Sequence, residues 1–169
     1  MFRMLQKKSF KDITVQTILD ECQISRATFY NYYKDKYDLM SCCYEFYIDE
    51  ILATYKGKNW EERLLLIFQF NKANGQFMKN AFKITGDNSF LDCLHHHAFR
   101  VYREEYLEKT GAKALTQKEC MMLDFFCAGL CYTMKKWSDN GLKESATEMA
   151  QLVFDLVPEV FRQHLVDKR

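Results

Sequence analysis

Proline occurs once in this chain of 169 residues, and glycine only six times. Strand-and-turn architectures need turn residues at short intervals, so this scarcity argues for an all-α fold. The glycines, at 57, 75, 86, 111, 129 and 141, form neither a phosphate-cradling loop nor a dinucleotide fingerprint. A G-x-S-x-G elbow and an H-E-x-x-H pair are also missing, so the chain does not read as an enzyme and implies no cofactor. No apolar run approaches the roughly 18 residues needed to cross a bilayer. The opening MFRMLQKKSF is too short and too interrupted for a secretory signal. The seven cysteines are odd in number and sit mostly in apolar helical stretches, which fits free thiols in a reducing cytoplasm. A cytoplasmic protein with no membrane partner is expected.

Net charge is also scarce, formally +1, but it is unevenly spread. Residues 1–36 hold seven Lys/Arg against four acids, whereas the remainder holds 17 against 19. A basic head on a slightly acidic body is the balance of a nucleic-acid-binding module attached to a different one.

What the head does contain is helix punctuation. Thr14 is an N-cap candidate, followed by Val15, Ile18, Leu19 and Cys22 on one helical face. Ile13 before it pairs with Ile18 as a hydrophobic staple. The run stops at Cys22-Gln23-Ile24, and Ser25 starts a second helix with Ile24 and Phe29 as its staple. Phe29 and Tyr33 then face inward, and Arg26, Ala27, Thr28, Tyr30, Asn31 and Tyr32 face outward. Two helices of about two turns with so short a joint form the helix-turn-helix layout, whose second helix enters a major groove. A third start at Asp35, with Asp38 three residues on, opens a helix striped by Leu39, Cys43, Tyr47, Ile51 and Tyr55. Lys36 falls in its first turn, where a cation opposes the helix dipole, so a phosphate oxygen is its natural partner.

The segment ITVQTILDECQISRATFYNYYKDKYDL resembles the DNA-binding domain of the TetR family of regulators. The matching features are Ile13-Thr14-Val15, Ile18, Leu19, Ile24-Ser25, Thr28-Phe29-Tyr30, Tyr32-Tyr33 and Lys34-Asp35-Lys36. Before residue 10 the resemblance weakens, and only the tail of the family's first helix is expected. The resemblance implies that Thr14 and its helix N-terminus meet a phosphate. It places Gln16 against adenine, Arg26 against guanine, and Ala27 and Thr28 against a thymine methyl. Tyr30, Asn31 and Tyr32 complete the DNA face, with Lys36 as phosphate anchor. Tyr32 stands where the family usually carries His. Read alone, this surface also suits an ordinary solvated face.

The body should hold about five more helices, nine in all. Expected starts are Asn59, Gly75, Ser89, the capping box Thr116–Glu119 and the capping box Ser145–Glu148; breaks are expected at Gly86-Asp87-Asn88, Gly111 and Asn140-Gly141. The last two helices, above all AGLCYTMKKWSDNGLKES, resemble the C-terminal region of a Firmicutes-type TetR branch that includes regulators of dihydroxyacetone-kinase operons. That resemblance implies a homodimer joined by a four-helix bundle, through Phe126, Leu130, Met134, Trp137, Met149, Val153, Leu156 and Val160. Closing the monomer core is the alternative role for them. The expected organisation is a three-helix head over 1–46, its first helix shortened, and a helical effector-binding and dimerisation body over 47–169.

Phe68, Phe90, Phe99, Tyr102, Met121 and Phe125 are candidates to line a pocket for a small-molecule effector; the resemblance implies a protein coactivator as the alternative. Cys93 with His95, His96 and His97 invites a metal reading, but adjacent helical residues point about 100° apart and cannot converge on one ion. A wet helix face is the better reading. Two functions stay open: a regulator binding palindromic operator DNA as a dimer, and a helical protein-interaction adaptor whose head no longer reads DNA.

Overall fold

Side-chain caps start most of the helices. The computed structural model describes residues 1–54, 59–86 and 89–165. Among these, ten α-helices and one 3-10 turn follow one another: α1 Phe2–Leu5, the turn Phe10–Asp12, α2 Val15–Cys22, α3 Arg26–Tyr32, α4 Lys36–Thr54, α5 Trp60–Ala73, α6 Gly75–Ala81, α7 Phe90–Thr110, α8 Gln117–Asp139, α9 Ala146–Asp155 and α10 Glu159–Leu165. Thr14, Ser25, Asn59, Ser89, Thr116 and Ser145 each accept a hydrogen bond from the N3 backbone N–H of the helix they precede. Gly111 ends α7 in the left-handed region, at φ 72°, where a side chain would be strained.

Two expectations about the helices are corrected. The final helix is broken in two, because Pro158 carries no N–H and disfavours helical geometry in the residue before it; α9 ends at Asp155 and α10 begins at Glu159. In α4 the buried seam is Leu39, Met40, Tyr44, Ile48 and Leu52, while Tyr47 is exposed and Cys43 and Ile51 are half-buried. The helix is apolar on more than one side, so its packing against α1, α5 and α7 selects the face. Tyr55 and the Asp87-Asn88 break lie outside the described residues.

One continuous core runs from head to body. In the head it holds Leu5, Phe10, Ile13, Ile18, Leu19 and Phe29, all buried. α4 crosses residue 46 without interruption and carries this core into the body. There α9 lies along α5, α7 lies against α8, and α10 folds back onto α7 with Phe161 edge-on to Tyr106 at 4.9 Å. Trp60 stacks on Tyr102 at 4.5 Å, and Arg63, itself buried, lies 4.4 Å over the Trp60 ring and pairs with Glu105 at 3.2 Å. At the α5–α6 junction a Cβ on Gly75 would stand 2.5 Å from the end of the Leu142 side chain, which would have to turn aside.

α1 is tied to the body as well as to α4. Phe2 stacks on Phe77 of α6 at 4.0 Å and tilts against Tyr47 at 4.9 Å. The buried Asn80 amide of α6 donates to the carbonyls of Leu5 at 2.7 Å and Lys8 at 3.3 Å, satisfying acceptors at the end of α1.

Candidate nucleic-acid interface

The outward face of α2 and α3 is built from short-range rules. Thr14 and Thr17 cap each other: Thr17 N–H donates to Thr14 Oγ1 at 3.1 Å, and Thr14 N–H to Thr17 Oγ1 at 2.8 Å. Gln23 then takes φ 54°, and Ile24 N–H bonds back to the Leu19 carbonyl at 3.2 Å, closing α2 with a left-handed turn. Ser25 restarts the helix, accepting from Thr28 N–H at 3.0 Å. Phe29, buried, anchors α3 to the head, with Tyr33 tilted against it at 5.6 Å.

Eight of the nine expected DNA contacts stand on the surface: Thr14, Gln16, Arg26, Ala27, Thr28, Tyr30, Asn31 and Tyr32 are exposed. They are held together. Arg26 donates to the Gln16 side-chain oxygen at 3.2 Å, and the Gln16 amide donates to Asp20 at 2.8 Å, so one polar chain bridges α2 and α3. Thr28 and Ser25 share a hydroxyl hydrogen bond at 2.8 Å. Tyr30 sits edge-on against Phe29 at 5.2 Å, which fixes its ring while its hydroxyl end stays in solvent. Lys34, Lys11, Lys8, Lys7 and Arg3 are exposed cations of the same head.

Lys36 is placed differently. Its ammonium donates to the carbonyls of Phe10 at 2.9 Å and Ile13 at 2.8 Å and lies 4.4 Å over the Phe10 ring. Burial pulls its pKa below the ordinary lysine value, with Asp12 opposing. Those carbonyls offset the unfavourable helix dipole that sequence reasoning had assigned to a phosphate. Around it, Asp35 accepts from the N–H groups of Tyr37 and Asp38, and Asp38 accepts from Lys34 N–H.

The candidate dimer residues divide. Met134 and Trp137 are buried within the single chain, Trp137 edge-on to Phe68 at 5.5 Å, so they belong to the core and not to an outer face. Phe126, Leu130, Met149 and Val153 are also buried and form the floor of an apolar groove of about 500 Å³ between α8 and α9. Leu156 is exposed on its wall and Val160 is half-buried. Two residues assigned to the effector pocket, Met121 and Phe125, stand outside instead, 69% and 84% exposed. With Leu152 and with Tyr132, which sequence reasoning did not single out, they complete an exposed apolar stripe. The signal was present, since Met121, Phe125 and Tyr132 recur at helical spacing beside the buried stripe.

The interior cavity is small, about 50 Å³. Phe68 and Tyr102 line it, joined by Tyr44, Trp60, His97 and Met134. Phe90 is instead enclosed by Tyr44, Phe77 and Phe82, and Phe99 is half-buried away from the cavity. The three histidines diverge: His95 faces Asp124 at 3.1 Å, His96 is exposed, and His97 bonds Asp49 at 2.9 Å. His97 is buried, so the wet-face reading fails for it. No helix among the described residues is long and apolar enough to cross a membrane.

Comparison with known proteins covers both parts of the chain. Residues 2–41 match the family described as bacterial regulatory proteins, tetR family. Residues 58–159 match the family described as transcriptional regulator C-terminal region. The HTH-type dhaKLM operon transcriptional activator DhaS of Lactococcus lactis is 29% identical over 109 residues, covering 63% of this chain and 54% of the relative. The HTH-type transcriptional regulator YerO of Bacillus subtilis is 40% identical over 62 residues, covering 37% of this chain and 21% of the relative. The aligned part is thus about half of one curated relative and about a fifth of the other. A solved structure of a dihydroxyacetone kinase operon activator DhaS superposes with a TM-score of 0.62 at 19% identity, over 92% of this chain and 88% of that one, and shows a common fold.

Proposed function

We propose, since this chain belongs to the TetR family of bacterial transcription regulators, that it binds a palindromic operator as a homodimer through the exposed face of α2 and α3. The observation that carries the reading is the polar chain from Asp20 through Gln16 to Arg26, which joins exposed side chains of the two helices in one outward surface. Arg26 and Gln16 present the donor and acceptor groups that read guanine and adenine edges in a major groove. Thr14, Tyr30, Asn31 and Tyr32 supply phosphate and backbone contacts, and Ala27 and Thr28 supply methyl contact to thymine.

The exposed stripe of Met121, Phe125, Tyr132, Leu152 and Leu156 is the dimer face. A contiguous apolar surface of this kind marks an association site, and a two-fold axis would set the heads on half-sites about 34–36 Å apart. The interior cavity is far below the roughly 300 Å³ of an ordinary small-molecule site. That favours a protein coactivator as the regulating partner over a small effector. The curated relative is an operon activator, and we extend control of an operon to this chain.

Fluorescence anisotropy with duplexes from upstream of its own and adjacent genes tests the reading. The expected result is tight binding to one duplex that weakens steeply with salt and is lost in Arg26→Ala/Tyr30→Ala while the helical fold persists. Equal, weak binding of wild type and variant to every duplex would leave the adaptor as the better description.

A further inference from the structure

We propose that Asp20 is a positioning residue for base selectivity: its carboxylate fixes the orientation of the Gln16 amide, so that Gln16 and Arg26 read bases as one unit. The proposal rests on the DNA-binding reading above. Asp20 is exposed in the last turn of α2, on the same face as Gln16 one turn earlier. An acid there opposes the helix dipole, and on this face it also repels the phosphates of bound DNA. Both effects disfavour a carboxylate at this position. What Asp20 supplies against them is a hydrogen-bond acceptor.

The Gln16 amide donates to Asp20 Oδ1 at 2.8 Å, and its oxygen accepts from Arg26 of α3 at 3.2 Å. An ionised carboxylate only accepts and a guanidinium only donates, so between these partners the amide has a single orientation. Flipping it would set oxygen against carboxylate and NH2 against guanidinium. An amide carries two N–H donors and two acceptor sites; one of each is taken, and one of each is left. The remaining pair is what adenine N7 and N6–H2 require. Arg26 gives one N–H to Gln16 and keeps the others for guanine O6 and N7. A Gln–Asp pair one turn apart is by itself an ordinary helix contact. The bond to Arg26 changes its consequence, because it crosses from α2 to α3. Gln16 is held at both ends, so the reading pair is ordered before DNA arrives.

Discrimination measured base pair by base pair separates positioning from charge alone. Wild type, Asp20→Ala, Asp20→Asn and Gln16→Ala are titrated with the bound duplex and with duplexes carrying each single base-pair change, made symmetrically in both half-sites. Both Asp20 variants lose one negative charge per head, so both should bind every duplex tighter by a similar factor. Only alanine also removes the acceptor. Asp20→Ala should therefore lose about five- to tenfold of its preference at one base pair, the pair at which Gln16→Ala loses preference. Asp20→Asn, which keeps an acceptor oxygen while Arg26 still holds the other end of the amide, should lose less. A wild-type profile in Asp20→Ala overturns the proposal. So does a loss spread evenly over the half-site, a loss at a pair that Gln16→Ala leaves untouched, or an equal loss in Asp20→Asn. Should wild type bind no duplex, the DNA reading fails and the proposal with it, whereas duplex binding with an unaltered profile sinks the proposal alone.

Discussion

In the proposed dimer, placing a charge at Phe125 should separate the two protomers without unfolding either. Phe125 is 84% exposed in the single chain and stands in a stripe with Leu156, which is 73% exposed. Burying a phenylalanine contributes about 2–3 kcal/mol. A two-fold interface repeats every residue, so losing both copies removes about 4–6 kcal/mol before the repulsion of two carboxylates is counted. At about 1.4 kcal/mol per factor of ten, Phe125→Glu should raise the dimer dissociation constant by about three orders of magnitude or more. Sedimentation velocity across micromolar concentrations reads the change, with far-UV circular dichroism confirming unchanged helix content. Trp137→Ala is the contrasting variant. Its ring is buried against Phe68, so truncation should cost about 3–5 kcal/mol of fold stability. A Phe125→Glu protein that dimerises like wild type, or a wild type that is monomeric throughout, would refute the placement of the interface.

Asn80→Ala should lower stability by about 1–3 kcal/mol, because it removes the buried donor to the Leu5 and Lys8 carbonyls that ties α1 to α6; an unchanged thermal midpoint would contradict this. Glu119 is held below its ordinary value of 4.5, first by the Tyr106 hydroxyl donating at 2.6 Å and then by Thr116. A lowered acid pKa gives stability that is present above pH 4.5 and is lost as pH falls through the folded value, so Glu119→Gln should flatten the acid limb of a stability–pH curve. An identical acid limb in both proteins would exclude the linkage. Burial raises the thiols of Cys93 and Cys131 to about 12 and that of Cys127 further. Ellman's reagent at neutral pH should therefore modify the exposed Cys22 and Cys120 first, the half-buried Cys93 slowly, and Cys127 and Cys131 only in denaturant, whereas simultaneous reaction of all seven in the native protein would count against the burial of Cys127 and Cys131.

The head was legible because its signals are local. Thr14, Ser25 and the three-residue joint between α2 and α3 follow from capping and turn chemistry within a few residues, and the structure reproduces them. The same holds for the boxes at Thr116 and Ser145. Lys36 shows where locality ends. Its position in a first turn signalled an unusual partner, but the carbonyls that satisfy it lie 26 and 23 residues away. Periodicity alone does not rank two apolar stripes on one helix. α8 carries Phe126, Leu130, Met134 and Trp137 beside Met121, Phe125 and Tyr132, and nothing within the helix says which stripe a neighbour will cover.

By itself, then, the sequence determined the all-helical class, the capped helix starts and the outward face of α3, since each depends on interactions spanning one or two turns. Only the tertiary structure decided which faces of α4 and α8 are buried, that the interior cavity is small, and that Lys36 turns inward. Those outcomes depend on which helices meet, and burial of apolar surface is non-directional: any sufficiently apolar face would satisfy it until a specific neighbour packs against one of them.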